Sequence, residues 1–166
     1  MRTHVEGLLP RYPDWKPDLI GFQVECECIV GAWDKVRDLV RQTDNDAAPV
    51  VLGRIFLAML DSDEMAISAE LNSARRTFGA PITAVGGKGY SRCYDAVLNL
   101  HLVHELEVIY REATGFPLTQ GDNPGARFEK MQKRLSARLE ATLPSNRVRE
   151  PILSIRRTAF SLKFVS

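Results

Sequence analysis

Three short stretches of the chain carry residue types able to do chemistry. In His101-Leu102-Val103-His104-Glu105 two imidazoles stand one helical turn apart with a carboxylate beside them. Imidazoles at i and i+3 can share a metal, but a stable zinc site needs further ligands. The order is also not the HExxH that supplies two ligands and a general base. A helical wheel gives a simpler reading. His101, His104, Glu105, Glu107, Arg111 and Glu112 fall opposite Leu102, Leu106 and Ile109, as a charged outer face with His101 and Glu105 paired at i,i+4. Cys26 and Cys28 lie about 200° apart around a helix, so their sulfurs cannot share a metal or easily close a disulfide. Cys26 is the one expected in the core. In Gly86-Gly87-Lys88-Gly89 a phosphate loop would need glycine at position 82, where Ile82 stands, and Ser or Thr after Lys88, where Gly89 stands. These glycines read as a turn before a long helix. There is no nucleophile elbow and no kinase set of glycine loop, catalytic-loop Asp and DFG Asp. The expected inventory of catalytic, cofactor-binding and metal-ligating residues is therefore none, and the chain as given is not expected to be an enzyme.

The elements that would position these residues are helical almost throughout. Pro17 suits a first helical turn, Leu19, Phe22, Cys26, Ile29 and Val30 form one stripe, and Gly31 supplies a stop. Trp33 reads as the packing anchor of a helix pair, and Asp34 as the cap of a short helix that turns Val36, Leu39 and Val40 inward. Residues 47–60 are apolar nearly all round and predict a buried helix. Ile67, Leu71, Ala74 and Phe78 recur at helical spacing before an expected stop at Gly79, ahead of Pro81. A long helix should run from Tyr90 to about Ala113, and residues 114–124 read as a loop. A sixth helix places Phe128, Met131, Leu135 and Leu139 on one stripe and ends at Leu143, Pro144 and Ser145.

The last helix is expected to start at Pro151. Ile152, Ile155, Ala159 and Leu162 form one apolar stripe, and Leu153, Phe160 and Phe164 a second. Arg149, Arg156 and Lys163 make a basic ridge between them, leaving Ser154, Thr158 and Ser161 as the solvent face. Such a helix expects neighbours on two sides, which suggests a piece of something longer. No run of alternating residues makes a convincing strand. The expected class is all-α, antiparallel helix pairs stacked as an α-solenoid of TPR-like or HEAT-like repeats, with 1–14 an N-terminal extension and 15–166 a partial repeat domain.

Composition bounds the function. The 166 residues are 45% hydrophobic and 26% charged, ordinary for one globular domain. The apolar runs fall well short of the roughly 20 residues a bilayer span needs, and residues 1–15 do not read as a secretory leader. Three cysteines without framework spacing fit a reducing compartment, cytosol or nucleus. From Asn123 onward 10 Lys and Arg face 3 Asp and Glu, a net +7, while the rest of the chain, 12 against 18, is −6. The two parts read as surfaces that attract each other. No direct nucleic-acid contact is expected, because the basic residues sit on amphipathic helices without interleaved exposed aromatics.

The order GAWDKVRDLV at Gly31 to Val40, GYSRCYDAVLNLHLVHELE at Gly89 to Glu107 and REPILSIRRTAFSL at Arg149 to Leu162 resembles the FAT region of ATR-type checkpoint kinases. These are phosphatidylinositol-3-kinase-related protein kinases of the DNA-damage response. The resemblance runs from roughly Trp15 to Leu162 and includes Asn72-Ser73-Ala74-Arg75. It implies an α-solenoid that wraps and regulates a kinase domain, carries no catalytic residue and works in the nucleus. ATP and a divalent metal would belong only to that kinase domain, which is not in this chain. The implied partners are further FAT repeats, the kinase domain, and a second copy through the parent. The alternative from another class is an independent helical-repeat adaptor that binds a protein partner. On the first reading, the ridge of Arg149, Arg156 and Lys163 would await acidic or carbonyl partners on the next repeat.

Overall fold

The computed structural model describes residues 15–84, 90–114 and 124–164. The N-terminal extension, the glycines at 86, 87 and 89 with Lys88, and positions 115–123 of the expected loop lie outside the described residues. Among the described residues there are seven helices and no strand, which establishes the all-α class. They belong to two compact units, Met1–Thr77 and Phe78–Ser166.

In the first unit α1 (Lys16–Val30), α2 (Trp33–Arg41) and α3 (Ala48–Leu60) pack on one another. α1 carries proline in its first turn and ends where Gly31 takes the left-handed conformation, φ 75°, which glycine adopts without a Cβ penalty. α3 opens from an Asn turn, with the Asn45 side chain accepting the Ala47 N–H at 2.8 Å, and is then buried nearly all round, from Val50 to Met59. Gly53 sets the closeness of α1 to α3: a Cβ there would sit 2.8 Å from a methyl of Val24. Gly21 faces Ala47 and Pro49, and Val24 faces Gly53, so the numbering rises together and α3 runs parallel to α1. Val40 also faces Gly53, and Arg37 reaches Asp61, so α2 runs the other way. Trp33 packs against Phe56 with ring centroids 6.1 Å apart, the anchoring role expected of it.

Two expectations fail in this unit. The buried line of α1 is Ile20, Val24, Glu27 and Cys28, whereas Phe22, Ile29 and Val30 are exposed and Cys26 is half-buried. Both sides of α1 are apolar, so periodicity could not choose between them. Gly53, distant in sequence, decides it by admitting Val24. Asp34 is not the cap of α2: Ala32 occupies that position with no side-chain bond, and Asp34 lies in the first turn.

α4 (Glu64–Ala84) starts at Asp63, whose carboxylate accepts the Ala66 N–H at 3.0 Å, and buries Ile67, Leu71, Ala74 and Phe78 as their spacing requires. It does not stop at Gly79 but runs through Pro81. The proline removes one helical donor, that for the Thr77 carbonyl, a loss tolerable near an exposed helix end. Thr83 binds the Ala80 carbonyl through its hydroxyl at 2.9 Å.

In the second unit α5 (Tyr90–Thr114) packs against both α6 (Pro124–Glu140) and α7 (Asn146–Phe164). Met131 and Leu135 of α6 are buried as expected, while Phe128 is 41% exposed, edge-on to Phe160. α7 begins five residues before Pro151, where the Ser145 carbonyl takes the N–H groups of Val148 and Arg149 at 3.1 and 3.0 Å. Its buried face is Ile152, Ile155, Ala159 and Leu162, joined by Val148, Arg156 and Thr158. The outward face is Leu153, Arg157 and Ser161 rather than Ser154, Thr158 and Ser161. Thr158 turns its hydroxyl back to the Ser154 carbonyl at 3.1 Å, which lets a threonine be buried without an orphaned donor.

Candidate functional site

Among the described residues of the second unit the most deeply buried charged side chain is that of Glu105, on α5. Its neighbours on the same helix, Val103, Leu106 and Ile109, are also completely buried, while His104 between them is exposed. A carboxylate there survives only if its lone pairs are filled. One oxygen accepts from Arg138 Nε of α6 at 2.5 Å, and His101 Nε2 lies 3.3 Å from it, at ion-pair distance but out of hydrogen-bond alignment. The other accepts from Arg156 Nε of α7 at 2.7 Å, and Arg156 also donates to the Leu135 carbonyl of α6 at 2.9 Å. Burial by itself would raise the Glu105 pKa. His101, Arg138 and Arg156 more than offset it and hold the carboxyl at about 2, so it is ionised at neutral pH.

Two further ion pairs repeat the pattern outward. Arg134 of α6 meets Glu112 at 2.5 Å, Arg147 of α7 meets Asp95 at 2.9 Å, and the Arg147 guanidinium also lies 5.6 Å from the centre of the Tyr94 ring. The pairs fix helix direction. Glu105 and Glu112 match Arg138 and Arg134 in reverse order, so α6 is antiparallel to α5. Asp95 and Glu105 match Arg147 and Arg156 in the same order, so α7 is parallel to α5. Each unit thus repeats one pattern, a helix, an antiparallel partner, and a third helix parallel to the first.

These positions correct the sequence reading of this region. Glu105 is the opposite of an outer-face residue, and Glu107 is buried too, bound by Arg111 at 2.7 Å and 3.4 Å from His104 Nδ1. Arg156 is buried and bonded within the unit, so it does not await a partner elsewhere. Arg149 donates to the Thr142 carbonyl at 3.4 Å, and the Lys163 side chain lies outside the described residues. The attraction expected between the basic C-terminal part and the acidic remainder is realised, residue by residue, between α5 and its two neighbours. Sequence reasoning missed Arg138 and Arg156 as the clasp on Glu105. The signal was the i,i+7 carboxylates Glu105 and Glu112 facing the i,i+4 pair Arg134 and Arg138.

Chemically this is a clasp. A general acid or base works with a pKa near the operating pH, and a carboxylate held at about 2 by two guanidinium groups is far from it. Among the described residues no group of three or more His, Cys, Asp or Glu could hold a metal, and no helix is long and apolar enough to cross a membrane.

The FAT domain family matches residues 23–164, which include every element from the third turn of α1 onward. The chain belongs to the FAT domain family. Along its whole length it is similar to the serine/threonine-protein kinases ATR of Oryza sativa subspecies indica and japonica, 27% identical over 180 residues. Over 173 residues, 96% of the chain, it is 28% identical to the Arabidopsis thaliana serine/threonine-protein kinase ATR. The chain spans 7% of the length of the rice kinases and 6% of the Arabidopsis one. No solved structure matches it. The expected FAT resemblance and all-α helical-repeat class therefore stand, and the Glu105 clasp is a feature of a FAT segment.

Proposed function

We propose that this chain is a non-catalytic helical scaffold segment of an ATR-like serine/threonine protein kinase acting in nuclear DNA-damage checkpoint signalling. Its role is to support and regulate a kinase domain that lies outside these 166 residues. The observation that carries the reading is the FAT match from residue 23 to 164, together with similarity along the whole of this chain to two rice kinases and along 96% of it to the Arabidopsis one. The interior agrees with a scaffold role: its most buried charged group is committed to joining helices. The partners are further FAT repeats and the kinase domain. ATP and a divalent metal are needed only there.

The test is the native transcript beyond the codon for Ser166. An open frame continuing into further helices and then a kinase domain with its DFG motif is expected. A stop codon directly after Ser166 would overturn the reading and leave an independent helical-repeat adaptor. At the protein level, an antibody against the segment should recover ATP-dependent serine/threonine kinase activity from nuclear extract, on the same polypeptide.

A further inference from the structure

The two neighbours of α5 are held to it unequally. α7, 19 residues long, buries Val148, Ile152, Ile155, Ala159 and Leu162, with Ile152 and Ala159 wholly inside. α6, 17 residues long, buries only Met131 and Leu135 among its described side chains, and most of the others are exposed. Its side-chain bonds to α5 are ionic and lie toward the rim: Arg134 on Glu112 and Arg138 on Glu105, with the two arginine side chains 53% and 28% exposed. The Arg134 pair is of the exposed kind that contributes little and is screened by salt. An element with few buried apolar side chains is the one that opens locally, before the domain unfolds.

We propose that α6 is a releasable strap, a helix that lifts from α5 while α5 and α7 stay packed on each other, and that its release presents the Glu105 and Glu112 carboxylates of α5. Arg156 makes such a step feasible. Standing on α7, it bonds both Glu105 at 2.7 Å and the Leu135 carbonyl of α6 at 2.9 Å, so release of α6 breaks the second bond and keeps the first. Glu105 then holds Arg156 on one oxygen while water reaches the oxygen that Arg138 gives up, and no interior charge is stranded. The Arg134 and Arg138 side chains, already partly in water, hydrate fully. The same step at α7 would strip cover from Ile152, Ile155, Ala159 and Leu162, which makes α6 the helix that moves. The motion gives the second unit two states around one folded α5–α7 core, and it does not depend on the kinase reading.

Hydrogen exchange tests the strap in the 166-residue chain, read by mass spectrometry of peptides from each helix at several urea concentrations below the unfolding midpoint. An undocked helix of 17 residues is marginal in water, so α6 amides exchange once it lifts. They are expected to exchange about tenfold or more faster than the central amides of α5 and α7, and to depend less steeply on urea because this opening exposes less surface. About 0.5 M sodium chloride should speed α6 further and leave the centre of α7 unchanged. Arg134→Gln with Arg138→Gln should speed α6 about another tenfold, again without α7. Should that double change unfold the chain, Arg134→Gln alone, at the more exposed pair, should still speed α6 about twofold and α7 not at all. One shared rate and one shared urea dependence for α6 and α7, or equal acceleration of both by Arg134→Gln, would overturn the strap.

Discussion

Arg156 on α7 and Glu105 on α5 are joined at 2.7 Å across 51 residues of sequence, and the same guanidinium reaches the Leu135 carbonyl of α6 at 2.9 Å. One side chain therefore ties three helices, and both charged partners are buried. Removing Glu105 leaves the buried Arg156 with only the Leu135 carbonyl, and removing Arg156 leaves the buried Glu105 carboxylate to Arg138 alone, so either loss under-compensates an interior charge. Arg156→Ala or Glu105→Ala should each destabilise the second unit by about 3–5 kcal/mol, read as a lower urea midpoint. Arg37→Ala, which breaks a solvent-exposed pair with Asp61 in the first unit, should cost about 0–1 kcal/mol. Equal effects for the two pairs would show that the clasp is not a buried ion pair in solution.

The same group gives the second unit an acid limit. The Glu105 pKa is lowered from an ordinary 4.5 to about 2, so unfolding in acid takes up a proton that the folded state resists. Its contribution is fully present above the unfolded value, declines as pH falls below about 4.5, and is gone below about 2. Urea midpoints measured across that window should fall for the natural sequence and fall less for Glu105→Gln. That variant is less stable at neutral pH but has no proton to take up at this position. A Glu105→Gln profile parallel to the natural one would assign the acid sensitivity to other carboxylates.

Helix placement was legible in the sequence because apolar spacing and punctuation are local: Gly31 stops α1, and Ile67, Leu71, Ala74 and Phe78 all face inward on α4. What failed needed information from distant residues. Whether Phe22 or Val24 of α1 faces the core depends on Gly53, 29 positions beyond Val24, which lets that side approach α3 closely. Glu105 looked like an exposed carboxylate because acidic residues are seldom buried without partners, and its partners lie on two other helices. Gly79 and Pro81 looked like a stop because both weaken a helix, yet α4 continues past them. Family membership was more legible than the clasp, because it rests on the order of segments along the chain, not on which of their residues touch.

Two glycines should respond to alanine with opposite signs. At Gly53 the new Cβ would lie 2.8 Å from a Val24 methyl, on a β-branched side chain with little freedom to turn away. Overpacking there should destabilise by about 1–3 kcal/mol. At Gly79 nothing lies within 4 Å, and the residue is inside a helix, where alanine is better by about 0.5–1 kcal/mol. Thermal melts of the two variants should therefore move in opposite directions. A stabilised Gly53→Ala would mean that α1 and α3 are not in the close contact described.

The three thiols should separate by reactivity. Burial, and then the charges of Glu25 and Glu27, push the Cys28 thiol up to about 12, so almost none of it is thiolate near neutral pH. Cys26 and Cys93 are only half-buried. With an aromatic disulfide reagent in excess at about pH 8, Cys26 and Cys93 should react first, and Cys28 only as fast as the first unit opens. Adding urea below the unfolding midpoint should accelerate Cys28 selectively, whereas Cys28→Ser should abolish the slow phase alone. Three equal rates in the folded protein would contradict the burial of Cys28 and, with it, the assignment of the inward face of α1.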